Sequence, residues 1–357
     1  MTRVESFALA IKEKGADGAI ISSETNQKYL SDFEYSDGYI FVTADESFLI
    51  TDSRYIEAAK KQVKDLTVLL PSGAMLAEIG EIAKKKGCAR ILVEEGEICL
   101  QAYEDIKEKI PFAEITSGAS VILREMRKVK SARELSLIAC AQSITDAAFS
   151  HILNYISPSR TEKDVALELE FFMRKNGADG LAFNTIAVSG ASSSLPHGVP
   201  ADIPLRRGFL TMDFGARLDG YCSDMTRTVA IGKADEEMKR VYDTVLSAQL
   251  TALDFIHGGV LCRDADEAAR CIIREAGYGA NFGHSLGHGV GLYIHEAPNL
   301  SPKADINSSL QAGNVVTVEP GIYLEGKFGC RIEDMIAINP DGSVLNFTKS
   351  TKELIEL

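Results

Sequence analysis

The segment FLTMDFGARLDGYCSDMTRT, residues 209–228, is apolar sequence interrupted by the turn signal Asp219-Gly220. Two such runs joined at a turn predict a β-hairpin. A four-residue loop from Arg217 to Gly220 places residue 213 opposite residue 224, although a bulge would shift this register. Because directly opposed residues point to the same face of a sheet, the segment predicts that Asp213 and Asp224 share a face.

A second segment, VVTVEPGIYLEGKFGCRIED at residues 315–334, repeats this arrangement. A turn centred on Gly326 places Glu319 opposite Glu333 on one face. A single charge pair on a surface contributes little to stability. Two pairs within apolar strand sequence are a different case, because such carboxylates are expected to be buried. A buried carboxylate without a partner costs on the order of several kcal/mol or takes up a proton. Divalent cations are the natural partners of such groups.

The four carboxylates are the hard oxygen ligands of a two-metal site, in which bridging ligands hold the ions about 3.5–4 Å apart. One imidazole would complete the set, and GHSLGHGVGLYIHE, residues 283–296, holds three of the chain's six histidines. Spacing alone leaves open whether His284, His288 and His295 are ligands, acid–base groups or polar loop residues. Ligation mostly by carboxylates favours Mn²⁺ or Co²⁺ over a sulfur-rich zinc site.

The remaining sequence predicts two domains, residues 1–125 and 126–357. The first alternates short buried strands with amphipathic helices, which indicates an α/β domain. The strands are GAIISS, SFLITD and ARILVEE, and the helices are SRYIEAAKKQV and MLAEIGEIAKKKG, the second of which ends at Gly87.

A basic run, at Arg124, Arg127, Lys128 and Lys130, predicts a solvated linker between the domains. Capping boxes at Ser131 and Thr161 then begin two helices. Further helices are expected at 234–256 and 263–276, between strands on either side. The second domain is therefore predicted to be α+β with a largely antiparallel sheet.

Composition excludes several classes of protein. The chain has 357 residues, 45% hydrophobic and 25% charged, and a net charge of −13. Because non-specific nucleic-acid binding needs a cationic surface, no nucleic-acid partner is expected. The N-terminal segment lacks a signal-peptide layout and no apolar run approaches the roughly 18 residues that span a bilayer, so no membrane partner is expected. Seven scattered cysteines without a CxxC pair indicate a cytoplasmic protein.

Five segments of the second half, taken together, resemble the pita-bread metallopeptidases, in particular the aminopeptidase P and prolidase branch. They follow the family's order and approximate spacing, and they are PHG (196–198), MDFG with YCSDMTRT (212–228), GHSLGHGVGLYIHE (283–296), VEPGIY (318–323) and RIED (331–334). The first half resembles the family's companion domain in NQKYLSDFEYSDGYIFVT (26–43) and LITDSRYIEAA (49–59). The resemblance implies a C-terminal pita-bread domain, of the creatinase/aminopeptidase kind, behind an N-terminal creatinase-like α/β domain.

The resemblance also implies a set of metal ligands for two divalent ions, with Mn²⁺ as the first choice and Co²⁺ or Zn²⁺ as alternatives. The implied ligands are Asp213, Asp224, His288, Glu319 and Glu333. Asp224 and Glu333 would bridge both ions. Such ions lower the pKa of a shared water toward about 7 and polarise the carbonyl that is attacked. Glu319 would take the water's proton and return it to the leaving nitrogen.

The other matching residues look like substrate and catalytic groups. His295 would stabilise the tetrahedral intermediate, move protons and contact substrate. His197 and His284 would line the substrate pocket. His197 would also be a catalytic residue, together with His295 and Glu319. Arg331 would orient the carboxylates from behind.

The activity implied by the resemblance is hydrolysis of Xaa-Pro bonds in proline-containing peptides by a homodimer. Family prolidases often carry an arginine after the HE-x-P segment, where this chain has Asn299, which favours an Xaa-Pro aminopeptidase over the alternative Xaa-Pro dipeptidase. A metal-free hydrolase of the creatinase kind and a non-catalytic binding module are further alternatives, and the intact ligand set argues against both. Arg54 and Tyr55 belong either to a patch facing a neighbouring subunit's site or to the start of a surface helix.

Overall fold

The structure, a computed structural model, describes all 357 residues. The chain divides into two compact units, Met1–Arg127 and Lys128–Leu357, so the division lies two residues beyond the boundary expected after residue 125. None of the helices combines the length and apolar character that crossing a bilayer requires.

The first unit contains one mixed six-stranded sheet in the order β4-β3-β2-β1-β5-β6. Its strands are β1 (Gly18–Ile21), β2 (Gly38–Thr43), β3 (Ser47–Thr51), β4 (Thr67–Leu69), β5 (Arg90–Val93) and β6 (Glu114–Ser117). Its helices are α1 (Arg3–Glu13), α2 (Glu24–Ser31), α3 (Ile56–Gln62), α4 (Met75–Lys86), α5 (Leu100–Lys109) and α6 (Ala119–Lys128), the last of which runs to the division. All five elements predicted in this unit are confirmed, and Gly87 ends α4 with a φ of 70°.

A buried carboxylate fastens the start of α2 to the sheet of the first unit. Glu94 accepts hydrogen bonds from the backbone N–H groups of Ser22 and Ser23 at 2.5 and 2.8 Å. It also accepts from the Ser23 hydroxyl at 2.7 Å and the Asn26 amide at 2.6 Å. Because Ser23 is the N-cap of α2, Glu94 holds this helix end in place.

The second unit has four helices and thirteen strands, and each of its strand pairs is antiparallel, as predicted. The helices are α7 (Ala132–Tyr155), α8 (Glu162–Lys175), α9 (Glu236–Phe255) and α10 (Cys262–Glu275). The strands are β7 (Gly180–Leu181), β8 (Ile186–Ser189), β9 (Gly208–Phe214), β10 (Ala216–Leu218), β11 (Tyr221–Cys222), β12 (Met225–Ile231), β13 (Gly287–Gly289), β14 (Glu296–Leu300), β15 (Val315–Val318), β16 (Gly321–Leu324), β17 (Phe328–Arg331), β18 (Asp334–Ile338) and β19 (Val344–Asn346). The two largest sheets have the orders β12-β9-β8 and β14-β13-β15-β18-β19.

Each pair of helices in the second unit covers one sheet with its apolar face. Leu169 of α8 and Met212 of β9 lie in one buried cluster, to which α7 also contributes. Val241 of α9 and Val316 of β15 lie in another, to which α10 also contributes. The predicted capping boxes begin α7 and α8, as expected for Ser and Thr at the N-cap with an acid three residues later.

The prediction that the basic run is a solvated linker is wrong. Its first residues belong to α6, and the Arg127 and Lys130 side chains are buried. Arg127 donates to Asn26 within the first unit, and Lys130 forms an ion pair within the second. Charged residues at this spacing mark a surface unless they are paired, and the partners lie far away in the sequence.

Candidate metal centre

Four acidic residues of the second unit lie at or next to the ends of paired strands. Asp213 is next to the end of β9, Asp224 precedes β12, Glu319 follows β15 and Glu333 precedes β18. Asp213 is still paired within its sheet, whereas the other three lie just outside the regular ladders. The two predicted hairpins therefore exist, and their carboxylates lie close to the ends of the ladders.

The register predicted for the first hairpin is wrong by two residues. Its turn contains only Asp219 and Gly220, which have φ values of 49° and 81°. This two-residue turn shifts the pairing, so Asp213 lies opposite Thr226 instead of Asp224. Side chains alternate with a period of two, so a shift of two residues keeps both carboxylates on one side. Asp224 is close enough to Asp213 for that carboxylate to raise its pKa.

The register predicted for the second hairpin is confirmed. Gly321 pairs with Arg331, and Val318 pairs with Asp334. Between these pairs the same register sets Glu319 against Glu333. Burial and the charge of Glu319 raise the pKa of Glu333 well above its usual value, as expected for opposed carboxylates.

The two hairpins and β13 bring a histidine together with the acidic groups. Asp224, His288 and Glu333 each direct a potential ligand atom to one point, with these atoms within 4.8 Å of one another. His288 Nε2 lies 3.6 Å from Asp224 Oδ2 and 3.4 Å from Glu319 Oε1. Gly287 permits this approach, since a Cβ there would lie 2.0 Å from the carbonyl oxygen of Thr317.

The hydrogen bonds of His288 fix its tautomer. Its Nδ1 lies 3.0 Å from the Gly289 carbonyl oxygen, which can only accept, so Nδ1 carries the proton. Burial lowers the pKa of His288 to about 4, so the ring is neutral at neutral pH. Nε2 therefore presents a lone pair to the acidic groups, which is the arrangement of a metal-binding histidine.

The buried carboxylates of the cluster would be stabilised in their charged form by added positive charge. Burial and neighbouring carboxylates raise the pKa of Asp224 well above its usual value, and burial raises the pKa of Glu319 to about 8. The buried Arg331 offsets part of this charge by donating to Asp213 Oδ2 at 2.6 Å. The other oxygen of Asp213 is buried and has no hydrogen-bond partner. An orphaned carboxylate oxygen beside three more carboxylates and one imidazole fits a site for divalent cations.

Two threonines and a tyrosine support this cluster, and the sequence patterns predicted no role for them. Thr226 donates to Glu333 Oε2 at 2.6 Å, and Thr317 donates to Glu319 Oε1 at 3.3 Å. Tyr323 accepts a hydrogen bond from Arg331 at 2.7 Å. Thr226 and Tyr323 both occur in the quoted motifs, but only the tertiary fold brings them against their partners.

His284 lines the cavity but has no ring nitrogen free for a substrate. Its Nδ1 donates to the Ser285 carbonyl at 2.8 Å, and its Nε2 lies 2.9 Å from the Tyr323 hydroxyl. Because Tyr323 already accepts from Arg331, its own proton points to His284. Burial lowers the pKa of His284 to about 4, which agrees with a neutral ring that accepts at Nε2.

His197 and His295 are both exposed at the cavity, and neither ring makes a hydrogen bond within the chain. The His295 ring packs edge-on against His288 with 4.4 Å between centroids. Burial of the ring and the nearby His197 lower the pKa of His295. Because the ring makes no hydrogen bond within the chain, its nitrogens are available to a bound molecule. Of the histidines singled out from the sequence, these two are free to contact a substrate.

The cluster lies at a cavity of about 750 Å³ within the second unit. Its lining includes the acidic and imidazole groups described above, together with Glu170 and Lys163 of α8. The apolar part of its lining includes Leu167, Phe183, Ile186, Val199 and Ile294. An apolar cavity with a few converging polar groups is the usual form of a small-molecule site.

Arg54 lies in the first unit and is bound locally. Its guanidinium forms ion pairs with Asp37 at 2.8 Å and Asp52 at 2.5 Å. Tyr55, the neighbouring residue, shares a hydrogen bond with Ser36 at 2.8 Å. Both side chains therefore have partners that hold the start of α3 against the loop between α2 and β2.

Comparison with known proteins agrees with this architecture. Residues 136–340 match the model of metallopeptidase family M24, and residues 3–129 match that of the creatinase/prolidase N-terminal domain. The predicted creatinase-like and pita-bread domains are thereby confirmed.

Similar proteins are known at high coverage. An Xaa-Pro dipeptidase of Pyrococcus furiosus is 37% identical over 99% of both chains. The structure of an Xaa-Pro dipeptidase from Bacillus anthracis is 40% identical, covers 99% of both chains and superposes with a TM-score of 0.96. That of an X-Pro aminopeptidase from Thermotoga maritima is 37% identical, covers 96% of this chain and 98% of its own, and has a TM-score of 0.90.

Proposed function

The chain belongs to metallopeptidase family M24, and on that premise we propose that it hydrolyses Xaa-Pro bonds, with Xaa-Pro dipeptides as its preferred substrates. The observation that supports hydrolysis is the cluster of four carboxylates and one neutral imidazole at an open cavity. The preference for dipeptides rests on relatives named Xaa-Pro dipeptidase, of which two are 37% and 36% identical over 99% of this chain. The comparisons thus favour the dipeptidase alternative over the aminopeptidase that Asn299 suggested.

Five residues would hold two divalent cations, with Mn²⁺ as the first choice and Co²⁺ or Zn²⁺ as alternatives. They are Asp213, Asp224, His288, Glu319 and Glu333. Bound cations would supply a water of lowered pKa and polarise the scissile carbonyl. The intact oxygen-donor set argues against a metal-free hydrolase and against a non-catalytic binding module.

The remaining roles follow from the hydrogen bonds of each side chain. Glu319 would accept the proton of the attacking water and pass it to the prolyl nitrogen. His295, whose ring is unengaged, would donate to the oxygen of the tetrahedral intermediate. His197 faces the same cavity and would contact the substrate. Arg331 would hold Asp213 in position through its 2.6 Å hydrogen bond.

A dipeptide ends in a carboxylate, and two basic side chains that could bind it, Arg331 and Lys163, line the cavity. Arg331 is already committed to Asp213 and Tyr323. Lys163 of α8 lines the cavity, is exposed and forms no ion pair, so we assign the substrate carboxylate to Lys163. Lys163→Met should raise KM for an Xaa-Pro dipeptide about tenfold, since a hydrogen bond to a charged group is lost. The same peptide with an amidated C-terminus is the control, and an equal effect on both would contradict the assignment.

The proposed activity is tested with metal-stripped protein reloaded with Mn²⁺. Ala-Pro and Ala-Pro-Ala are compared, and kcat/KM should be higher for Ala-Pro. His288→Ala is the control, because it removes the imidazole donor and should abolish both activities. Failure to cleave either peptide with metal bound would refute the proposal.

The second candidate is an Xaa-Pro aminopeptidase that accepts longer peptides. Asn299 lines the cavity and offers no charge to a dipeptide's carboxylate. The Thermotoga maritima structure described above is that of an X-Pro aminopeptidase. A higher kcat/KM for Ala-Pro-Ala than for Ala-Pro would establish this candidate in place of the first.

A further inference from the structure

A buried ion pair lies behind the candidate centre and belongs to none of the roles above. Lys130 Nζ is 3.2 Å from Glu296 Oε2, and the two side chains are only 1% and 2% exposed. Burying two opposite charges costs much of what their attraction returns. Such a pair therefore needs a reason beyond stability, and its position next to His295 in the sequence suggests one.

The lysine extends from backbone that is itself held in place. Its N–H donates to the Gly313 carbonyl at 2.8 Å. Two residues earlier, the Lys128 carbonyl accepts from the Asn314 side chain at 3.0 Å. The loop before β15 thus binds residues 128–130 at both ends, and this fixes the point from which the Lys130 side chain extends.

The glutamate holds the turn that leads to His295. Glu296 Oε1 accepts the backbone N–H of Tyr293 at 3.2 Å, and Glu296 pairs with Gly289, the neighbour of His288. The turn folds around the carboxylate, since a Cβ added to Gly291 would lie 2.6 Å from Glu296 Oε2. Glycine at position 291 is therefore required by the fold of this turn, because a side chain there would collide with the Glu296 carboxylate.

The same turn is tied to the first hairpin of the cluster. The Gly291 carbonyl accepts the N–H of Cys222 at 2.8 Å, and Cys222 lies two residues before Asp224. Gly291 in turn donates to the Tyr293 carbonyl at 3.0 Å. The carboxylate of Glu296 is thus the centre around which the loop between His288 and His295 is folded.

We propose that the Lys130–Glu296 pair is a positioning element that keeps the His295 ring packed on His288, at their 4.4 Å separation. The charge of Lys130 holds the carboxylate, the carboxylate holds the turn at residues 290–295, and the turn sets the direction of His295. The kinetic part of this proposal rests on the proposed function; the structural part does not.

The test uses Lys130→Met/Glu296→Gln, which removes both charges together, because removing one alone leaves a buried charge unpaired. The expected kcat for Ala-Pro falls about 10–100-fold, since misplacing a catalytic group by about 1 Å costs on that order. KM and the Mn²⁺ content per chain should stay as in the wild type. In a His295→Ala background the same double change should cause no further loss of kcat.

Hydrogen–deuterium exchange supplies a readout that does not depend on activity. Amides at 290–295 should exchange faster in the double variant, and amides at 315–318 of β15 should not. Glu94→Gln is the matched control, because it alters a buried carboxylate of the first unit and should leave kcat unchanged.

Two results would overturn the proposal: unchanged exchange at 290–295, or a loss of kcat in the His295→Ala background equal to that in the wild type. If the double variant does not fold, Lys130→Arg replaces it, since it keeps the charge and displaces it. Lys130→Arg must then show faster amide exchange at 290–295, a lowered kcat and an unchanged KM. If the wild type cleaves no Xaa-Pro peptide, the proposed function fails, and the exchange experiment still decides whether the pair holds the turn.

Discussion

Removing metal from the protein should make its stability fall as the pH rises above neutrality. In the metal-free protein, burial raises the pKa of Glu319 from 4.5 to about 8. The folded state then keeps a proton that the unfolded chain has lost, so each rise in pH favours unfolding until the pH passes the folded pKa. Stability contributed by this proton is complete below pH 4.5 and is lost as the pH approaches 8.

The magnitude follows from one proton over this interval. Each pH unit costs about 1.4 kcal/mol per proton, so raising the pH from about 6.5 to about 8 should remove about 2 kcal/mol from the free energy of unfolding. At about 2–4 °C per kcal/mol for a unit of this size, Tm should fall by about 4–8 °C. The raised pKa values of Asp224 and Glu333 add to this loss of stability, whereas His284 and His288, whose pKa values are lowered to about 4, each offset about 0.4 kcal/mol of it.

The assay is thermal unfolding of chelator-treated protein at the two pH values, with Mn²⁺-loaded protein in parallel. The loaded protein should show a higher Tm and no such decline, because the cations take the place of the proton. In metal-free Glu319→Gln, the free energy of unfolding should decline less steeply with pH than in the metal-free wild type, by about 1.4 kcal/mol per pH unit. A metal-free wild type that is equally stable at both pH values, or more stable at the higher one, would refute the reasoning.

Three further predictions concern single residues. His288→Ala should lower the Mn²⁺ content measured by mass spectrometry and abolish the Tm increase on adding Mn²⁺, because the one imidazole donor is lost; undiminished binding would remove His288 from the ligand set. His295→Ala should lower kcat about 10²–10³-fold with Mn²⁺ content unchanged, as for loss of an intermediate-stabilising donor; a loss of metal instead would assign His295 to the ligands. Glu94→Gln should lower the urea-measured stability of the first unit by about 1–3 kcal/mol, since an acceptor of several buried donors is weakened; an unchanged unfolding midpoint would contradict this.

The two hairpins show what sequence patterns could predict. In the second, the arms are regular up to a turn centred on Gly326, and the register follows from counting outward. In the first, Asp219-Gly220 marked the turn, but the positive φ of Asp219 makes a two-residue turn that counting did not anticipate. The face shared by the carboxylates was predicted because it depends only on whether the shift is odd or even.

Other features could not be read from the sequence because they depend on distant partners. The burial of Lys130 requires Glu296, which lies 166 residues away. The role of Tyr323 requires that His284, from the segment before β13, and Arg331, from β17, both approach it. Local patterns describe periodicity and turns, and they contain no information on which two polar groups meet across a folded unit.

The spacing of the candidate ligands has a consequence for when metal can bind. The donors extend from Asp213 to Glu333 and come from two hairpins and the intervening β13, so no short stretch of chain contains the set. Contacts between segments so far apart in the sequence form slowly, because closing the long loops between them costs entropy before the contacts form. Because the unfolded chain lacks a preassembled site, added cations should leave the early folding rate unchanged and should slow unfolding, acting on the completed structure alone.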